Sequence, residues 1–109
     1  MAACFHLTTD AEQPIWQLST SQQRMALLAR AMVKNPVLLI LDEPCQGLSD
    51  RQQKAFTAAV NRLCEDPARS LIYVTHYETE LPHCIQHRLE LQNGQATTSS
   101  YQPAKAISA

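Results

Sequence analysis

Glycine is scarce in this chain. Only two of its 109 residues are glycine, Gly47 and Gly94, whereas an average globular composition of about 7% would supply about eight. A phosphate-binding loop of the Gly-x-x-x-x-Gly-Lys-Ser/Thr type needs two closely spaced glycines followed by lysine and a hydroxyl residue. The two glycines here stand 47 residues apart, and neither belongs to such a motif. These residues therefore hold no glycine-rich phosphate loop.

The chain also lacks an excess of charge and any long apolar segment. Nine basic residues stand against ten acidic ones, so there is no electrostatic footprint for nucleic acid. No strictly apolar run exceeds five residues, the length of 37–41, whereas a membrane-spanning helix needs roughly 20. Residues 1–10 lack the basic start and apolar stretch of a secretion signal. We expect a cytoplasmic protein that neither inserts into a membrane nor binds nucleic acid.

Closely paired cysteines are absent as well. The four cysteines include no Cys-x-x-Cys pair, which excludes a zinc framework and the dense disulfide pattern of a small secreted scaffold. Free and mostly buried thiols are expected. His83, Cys84 and His87 invite a metal hypothesis, but without a fourth ligand a packed or exposed helix face is favoured.

The chain does contain regular helical patterning. A Ser-x-x-Gln capping box at Ser19 precedes apolar residues at helical spacing. That helix should end at Asn35, because the following proline disfavours helical geometry. A second Ser-x-x-Gln pattern at Ser49 opens another helix, which Pro67 ends.

Two apolar segments have the length of strands. Residues 37–41 form a continuous apolar run, typical of a parallel strand covered on both faces, and 70–75 form the next strand. A strand, helix and strand of these lengths make a βαβ unit with parallel strands. If the strands are close in the sheet, the residues that follow them, Asp42, Glu43 and His76, converge on the edge where open α/β sheets bind ligands.

The last third of the chain contains weaker signals. We predict a short helix near 78–86, and then a terminal strand or hairpin that includes 88–91 and a turn at Asn93-Gly94. Residues 97–109 are small and polar, which predicts disorder.

Asp42 and Glu43 carry the clearest chemical signal. Two consecutive carboxylates at the end of a buried strand can divide into two roles: one holds Mg²⁺, and the other orients and deprotonates an attacking water. An imidazole at the same edge, His76, can hydrogen-bond a γ-phosphate or a catalytic carboxylate. Solvated turn residues and a structural histidine are the alternatives, and spacing alone leaves both interpretations open.

The start of the first predicted helix is a second candidate. Its backbone N–H groups and the Ser19 hydroxyl can bind an anion with the help of the helix dipole. Ordinary N-capping is the alternative, and spacing alone favours it.

Taken in order, these segments resemble an ABC-type ATPase. The matching segments are LSTSQQR (18–24), a helix ending in Asn35-Pro36, LLILDEP (38–44), GLSD (47–50) and VTH (74–76). They resemble the family's signature motif, Walker B motif, D-loop and switch histidine. The resemblance covers roughly 12–96 and matches the carboxyl-terminal half of the nucleotide-binding domain. The amino-acid sequence of residues 41–48 and 75–90 is most similar to that of the tandem-domain molybdate transport ATP-binding proteins.

The resemblance implies an α/β fold that is part of the ABC-type P-loop NTPase fold. It implies a signature helix, a βαβ unit with parallel strands and a C-terminal hairpin, with the Walker A half absent. Residues 1–17 would be a remnant of the helical subdomain, 18–96 the C-terminal part of the ATPase domain, and 97–109 a disordered tail.

The resemblance also implies site residues for ATP and Mg²⁺. Asp42 would bind Mg²⁺ through water, Glu43 would be the general base, and His76 would contact the γ-phosphate. The residues that would bind the γ-phosphate of an ATP held on a partner domain are Ser19, Thr20, Ser21 and Gln22. The residues that would line the dimer interface are Gln46, Gly47, Leu48 and Ser49.

Three positions depart from the family's pattern. Thr20 and Ser21 stand where the signature has glycines, and a side chain at Ser21 obstructs close approach of the backbone to phosphate. Ser49 occupies the place of the D-loop aspartate, with Asp50 one position late.

The function implied is that of the ATP-binding and ATP-hydrolysing subunit of an ABC transporter, for molybdate or a similar small anion. Its partners would be a second nucleotide-binding domain and a membrane permease that holds it at the membrane. Without Walker A, the isolated chain should be inactive. The alternative is a catalytically inert fragment or interaction module that docks on a complete nucleotide-binding domain. The neutral charge and the lack of heptads argue against an ABC ATPase of DNA repair.

Overall fold

The computed structural model describes residues 13–102. Within them the chain forms a small α/β structure with two helices and four strands. In chain order the elements are a 3-10 turn Ile15–Gln17, α1 Thr20–Met32, β1 Leu38–Asp42, α2 Asp50–Leu63, β2 Ser70–Val74, a 3-10 turn Glu78–Glu80, β3 His87–Gln92 and β4 Gln95–Ser100. The predicted remnant 1–17 lies mostly outside the described residues.

Both helices begin with the predicted capping boxes. Ser19 Oγ accepts a hydrogen bond from the Gln22 backbone N–H (3.2 Å), and Gln22 Oε1 accepts one from the Ser19 N–H (3.0 Å). Ser49 and Gln52 repeat the arrangement at 3.3 and 3.0 Å. Each box satisfies two backbone donors that a helix start leaves unpaired. Helix α1 ends three residues before Asn35, which has a left-handed φ of 49°.

Strands β1 and β2 form the predicted parallel pair. Their register places Leu38 opposite Ser70 and Asp42 opposite Val74. Among the described residues each of these two strands pairs only with the other. Since both strands run in the same direction, the segments that follow Asp42 and Val74 leave the sheet at the same edge.

The two faces of this sheet differ in burial. On the inner face Leu39 is 3% exposed, and Leu41 and Leu71 pack against the core. Both helices contribute to that core, which consists of Met25, Leu28, Met32, Leu39, Cys45, Phe56, Ala59, Val60 and Leu63. The outer face leaves four apolar side chains 44–60% exposed: Leu38, Ile40, Ile72 and Val74. The prediction that β1 is covered on both faces is therefore wrong within residues 13–102, because both helices pack on the face that carries Leu39.

The segment after β2 differs from the sequence prediction in two places. The helix predicted over 78–86 is wrong beyond one 3-10 turn, because Leu81 is extended before Pro82 and a proline ring blocks helical continuation. The predicted hairpin is confirmed: β3 and β4 pair antiparallel across Asn93 and Gly94, both with positive φ as a type I′ turn requires.

The disordered tail predicted over 97–109 is also partly wrong. Residues 97–100 belong to β4, and backbone pairing with β3 holds them despite their polar side chains. Residues 103–109 lie outside the described residues.

Candidate functional site

The edge of the β1–β2 sheet brings Glu43 and His76 together. The backbone N–H of Glu43 donates a 2.8 Å hydrogen bond to the carbonyl oxygen of Val74, which extends the strand pairing by one step. His76 follows β2 by two residues, and its Nε2 lies 3.2 Å from Glu43 Oε1. Two residues 33 positions apart in the sequence thus meet at the carboxyl edge of the sheet.

Glu43 has two features that are unusual for a glutamate. Its backbone is left-handed, with φ 48°, which costs a residue with a side chain roughly 1–2 kcal/mol. Its Oε1 is buried and has no hydrogen-bond partner among the described residues, although His76 Nε2 lies 3.2 Å away. Strain and an unused buried acceptor on one residue are typical of a functional position.

Asp42 and His76 are open to solvent. Asp42 is exposed at the last position of β1, and the His76 side chain is 85% exposed, compared with 23% for Glu43. Proteins commonly bind Mg²⁺ through one or two carboxylates together with water and phosphate oxygens. The exposed Asp42 carboxylate beside Glu43 fits an open site of that kind. No group of three or more potential metal ligands occurs within residues 13–102, so the metal hypothesis for His83, Cys84 and His87 has no support there.

A hydrogen-bond network, which sequence reasoning missed, holds the turn that carries His76. Thr75 Oγ1 donates to Glu80 Oε2 (2.8 Å) and accepts from the Tyr77 N–H (3.1 Å). Gln53 of α2 donates from Nε2 to the carbonyl oxygen of Thr79 (2.8 Å). These bonds tie the residues around His76 to one another and to α2. The hydroxyl at Thr75 is the one sequence signal that could have revealed them, since threonine commonly bonds backbone two residues on.

A hydrogen-bonded pair of side chains, Cys45 and Tyr73, connects the turn after β1 to β2. Cys45 is 1% exposed, and its Sγ shares a 3.2 Å hydrogen bond with Tyr73 Oη of β2. Burial raises the pKa of the Cys45 thiol, and it also raises the pKa of the Tyr73 hydroxyl. Both groups are therefore neutral at pH 7 and anchor the turn after Glu43 to β2.

The start of α1 uses its polar groups internally. The Ser19 hydroxyl and the Gln22 side chain complete the capping box with each other's backbone. The capping interpretation is thus the one that the geometry displays. Anion binding at Ser19, Thr20, Ser21 and Gln22 remains a prediction.

The turn that follows β1 lies against this helix start. Gly47 has φ +84°, and a Cβ added there would lie 3.9 Å from Thr20 Cγ2. Arg24 Nη2 donates to the carbonyl oxygen of Gln46 (3.2 Å). The Ser49 hydroxyl is engaged in the capping box of α2. The predicted interface segment and the predicted phosphate-binding segment therefore form one continuous surface.

No helix among residues 13–102 is both long enough and apolar enough to cross a bilayer.

Comparison with protein families identifies one match. The family described as ABC transporter matches residues 2–46. These residues include α1, β1 and the Asp42-Glu43 pair.

Individual relatives match a larger share of the chain. The ABC transporter ATP-binding protein ModF of Escherichia coli is 45% identical over 80 residues, 73% of this chain and 16% of ModF. The ABC transporter ATP-binding protein C323.04 of Schizosaccharomyces pombe is 38% identical over 92 residues, 83% of this chain and 18% of that protein. The thiamine import ATP-binding protein ThiQ of Histophilus somni is 31% identical over 81 residues, 74% of this chain and 38% of ThiQ. The chain thus spans less than two fifths of the length of each of these relatives.

Proposed function

We propose that this chain, a member of the ABC transporter ATP-binding family, carries the ATP-hydrolysing edge of a transporter's nucleotide-binding domain. The observation that carries the proposal is the buried, unpartnered Glu43 Oε1 with His76 3.2 Å away. The Glu43 side chain is 23% exposed, so its carboxylate can take a proton from water, and the adjacent imidazole can stabilise the developing charge. The relatives are named as ATP-binding proteins of ABC transporters, and this supplies the substrate class.

Asp42 and Glu43 divide the chemistry between them. Asp42 would hold Mg²⁺ through water, and the ion would neutralise charge on the phosphate oxygens of ATP. Glu43 is the general base: its backbone bond to Val74 holds it at the end of the paired strands, and its carboxylate lies 3.2 Å from His76. His76 would contact the γ-phosphate from the opposite side of the same edge.

A second nucleotide-binding domain is the proposed partner at the start of α1. Ser19, Thr20, Ser21 and Gln22 would face the γ-phosphate of an ATP bound to that domain, and the turn of residues 46–49 would line the interface. The hydrogen bond from Arg24 of α1 to the carbonyl oxygen of Gln46 supports this proposal because it holds the turn against the first part of the helix. An anion would have to displace part of the Ser19 capping box, and the Thr20 and Ser21 side chains further restrict its approach.

The apolar outer face of the β1–β2 sheet points to a further packing partner. It exposes four aliphatic side chains, Leu38, Ile40, Ile72 and Val74. Both strands also leave an edge unpaired within residues 13–102, and exposed apolar edges favour association. We propose that further ATPase-domain sequence, of the kind that the longer relatives contain, covers this face. Without it the 109-residue chain should be inactive and prone to associate.

A membrane permease is the remaining proposed partner. ABC ATP-binding proteins that serve import, as the name of ThiQ states for thiamine, work with such a subunit, which would hold this chain at the cytoplasmic side of a membrane. We propose molybdate or a similar small anion as the transported solute, because of the sequence resemblance of residues 41–48 and 75–90. Cellular molybdenum measured with and without the gene tests it, and equal contents would refute it.

A chimera tests the hydrolytic role. Residues 18–96 replace the matching segment of ModF, and phosphate release from Mg-ATP is measured for the chimera and for the 109-residue chain alone. We expect turnover from the chimera only. Ordinary turnover by the chain alone would refute its dependence on a phosphate loop, and a folded, ATP-binding chimera without turnover would refute the role of the edge.

The inert-module alternative has its own support, since Thr20, Ser21 and Ser49 depart from the family's pattern. It predicts that the chain binds a complete ABC ATP-binding protein and changes its ATPase rate. Under that reading, wild-type and Glu43→Gln chains should change the rate equally. A difference between them would favour the hydrolytic proposal.

A further inference from the structure

Two cysteines distant from the Glu43 edge lie side by side. Cys64 caps the end of α2, and its backbone N–H donates to the carbonyl oxygen of Val60 (3.0 Å). Cys84 lies in the irregular segment before β3, and its backbone N–H donates to Asn61 Oδ1 (3.1 Å). Asn61 and Cys64 are three residues apart on α2 and therefore share a helix face. That single hydrogen bond brings Cys84 to the face on which Cys64 lies.

The surroundings hold both thiols in place. Pro82 is fully buried, and the Ile85 N–H closes a turn onto its carbonyl oxygen (3.4 Å), so the backbone on both sides of Cys84 is anchored. Cys64 packs against the hydrophobic core and is only partly buried, as is Cys84. Burial, together with the neighbouring Cys64 thiol, raises the pKa of Cys84 to about 12.

We propose that Cys64 and Cys84 form a dithiol site that oxidises reversibly to an intramolecular disulfide. The disulfide would join the end of α2 to the segment before β3 and enclose β2 and His76 in a covalent loop. Neither the proposed ATPase role nor the family assignment is needed for it, since it depends only on the local geometry.

The reaction is thiol–disulfide exchange with a low-molecular-weight disulfide such as oxidised glutathione. One protein thiolate attacks a glutathione sulfur, the glutathione S–S bond breaks, and one glutathione leaves as its thiol. The second protein thiolate then attacks the mixed disulfide, forms the Cys64–Cys84 bond and releases the second glutathione. Two protein thiols lose two electrons and two protons in total, and one glutathione disulfide takes them up.

Cys45, the remaining cysteine within residues 13–102, serves as an internal control. Cys45 is fully buried and hydrogen-bonded to Tyr73, so it should stay reduced in the folded chain. Trypsin places each of the four cysteines in a separate peptide: 1–24, 35–51, 63–69 and 70–88. Every possible pairing therefore produces a different cross-linked product.

The test uses the full 109-residue chain. It is equilibrated at a series of oxidised to reduced glutathione ratios, quenched with iodoacetamide, digested and analysed by mass spectrometry. We expect peptides 63–69 and 70–88 to be joined, with a loss of about 2 Da from two hydrogens. In 6 M urea, formation of the same bond should require a ratio of oxidised to reduced glutathione that is higher by about tenfold or more, because the unfolded chain no longer holds Cys64 close to Cys84.

Variants and pH sharpen the result. Cys84→Ser should abolish the cross-link and leave Cys64 as a glutathione adduct, whereas Cys4→Ser should leave the cross-link unchanged. Because only thiolates react, the initial oxidation rate should rise as the pH increases from 7 to 9. Separate glutathione adducts on Cys64 and Cys84 in the wild-type chain, pairing of either with Cys4, or equal oxidation in urea would each overturn the proposal.

Discussion

The sheet edge around Glu43 and the start of α1 are both predicted to face ATP, yet they use their polar groups in opposite ways. At the edge, Glu43 keeps a buried oxygen without a hydrogen-bond partner among the described residues. At the start of α1, Ser19 and Gln22 satisfy each other in a closed capping box. A buried acceptor without a hydrogen-bond partner costs free energy in the folded chain and is typical of a functional position, whereas a satisfied cap stabilises its own helix. The roles predicted for these two regions, a general base and a γ-phosphate contact, therefore rest on different physical grounds.

The two regions also differ in what assembles them. The edge requires β1 and β2, whose partners are 32 residues apart along the chain. The capping box joins residues three apart. Damage to the core should dismantle the edge, while damage to the cap should remain local. The following predictions test that contrast.

The largest effect is expected from Leu39→Ala. Leu39 is 3% exposed in β1, so truncation should lower the free energy of unfolding by about 2–5 kcal/mol. Urea unfolding followed by circular dichroism measures it. Ile40→Ala is the matched control, since Ile40 is 60% exposed on the same strand and should change stability by about 0.5 kcal/mol or less. Equal losses at the two positions would contradict the one-sided packing.

The next effect concerns the proposed base. Glu43→Gln in the ModF chimera should reduce the rate of ATP hydrolysis about 100-fold or more, because the amide cannot accept the proton of water. Phosphate release measures the rate. Glu65→Gln makes the same chemical change at an exposed position after α2 and should leave the rate unchanged. A loss below threefold at Glu43 would remove the edge from catalysis.

The free energy of unfolding should depend on pH through the Cys45 thiol. Burial raises the pKa of Cys45 above its ordinary value of 9.0, so the unfolded chain releases this proton first. The stabilising contribution is complete below pH 9 and is lost as the pH rises toward the folded pKa, at up to about 1.4 kcal/mol per pH unit. Urea midpoints between pH 7 and 10 measure it. Cys45→Ala should flatten the decline, and an unchanged slope would show that this thiol is not its source.

The smallest effect belongs to the cap. Ser19→Ala should cost about 1 kcal/mol of unfolding free energy, because the Gln22 N–H loses its acceptor. Ser49→Ala, which breaks the equivalent box of α2, should cost a similar amount. The contrary result would be that Ser19→Ala lowers the free energy of unfolding no more than a substitution at an exposed surface position does, and yet lowers the ATPase rate of the chimera. That result would identify the start of α1 as a ligand site rather than a cap.

Sequence reasoning succeeded where structure is local. Both capping boxes and the type I′ turn at Asn93 and Gly94 were predicted, because each depends on residues at most three apart. It failed where the context is tertiary. The helix predicted over 78–86 was assigned across Pro82, and disorder was assigned to 97–100, whose order comes from pairing with β3.

The features of the candidate site also separate into those that the sequence predicts and those that depend on tertiary contacts. Asp42, Glu43 and His76 were predicted to converge from the order of the strands and the family resemblance. The sequence carried no direct signal for the left-handed backbone of Glu43 or for its hydrogen bond to Val74. The supporting Cys45–Tyr73 and Thr75–Glu80 pairs were also missed, although Thr75 offered a partial hint.

The order of the motifs was sufficient to indicate a resemblance to ABC ATPases, and the scarcity of glycine excluded a glycine-rich phosphate loop within these 109 residues. The helix starts, the parallel strands and the hairpin also follow from the sequence, because short-range hydrogen bonds and apolar spacing determine them. Only the tertiary structure decided which face of the sheet stays apolar and open, that Glu43 Oε1 is buried without a described hydrogen-bond partner, and that Cys64 lies beside Cys84. Those features arise from packing between distant segments, where burial and distance depend on every element at once.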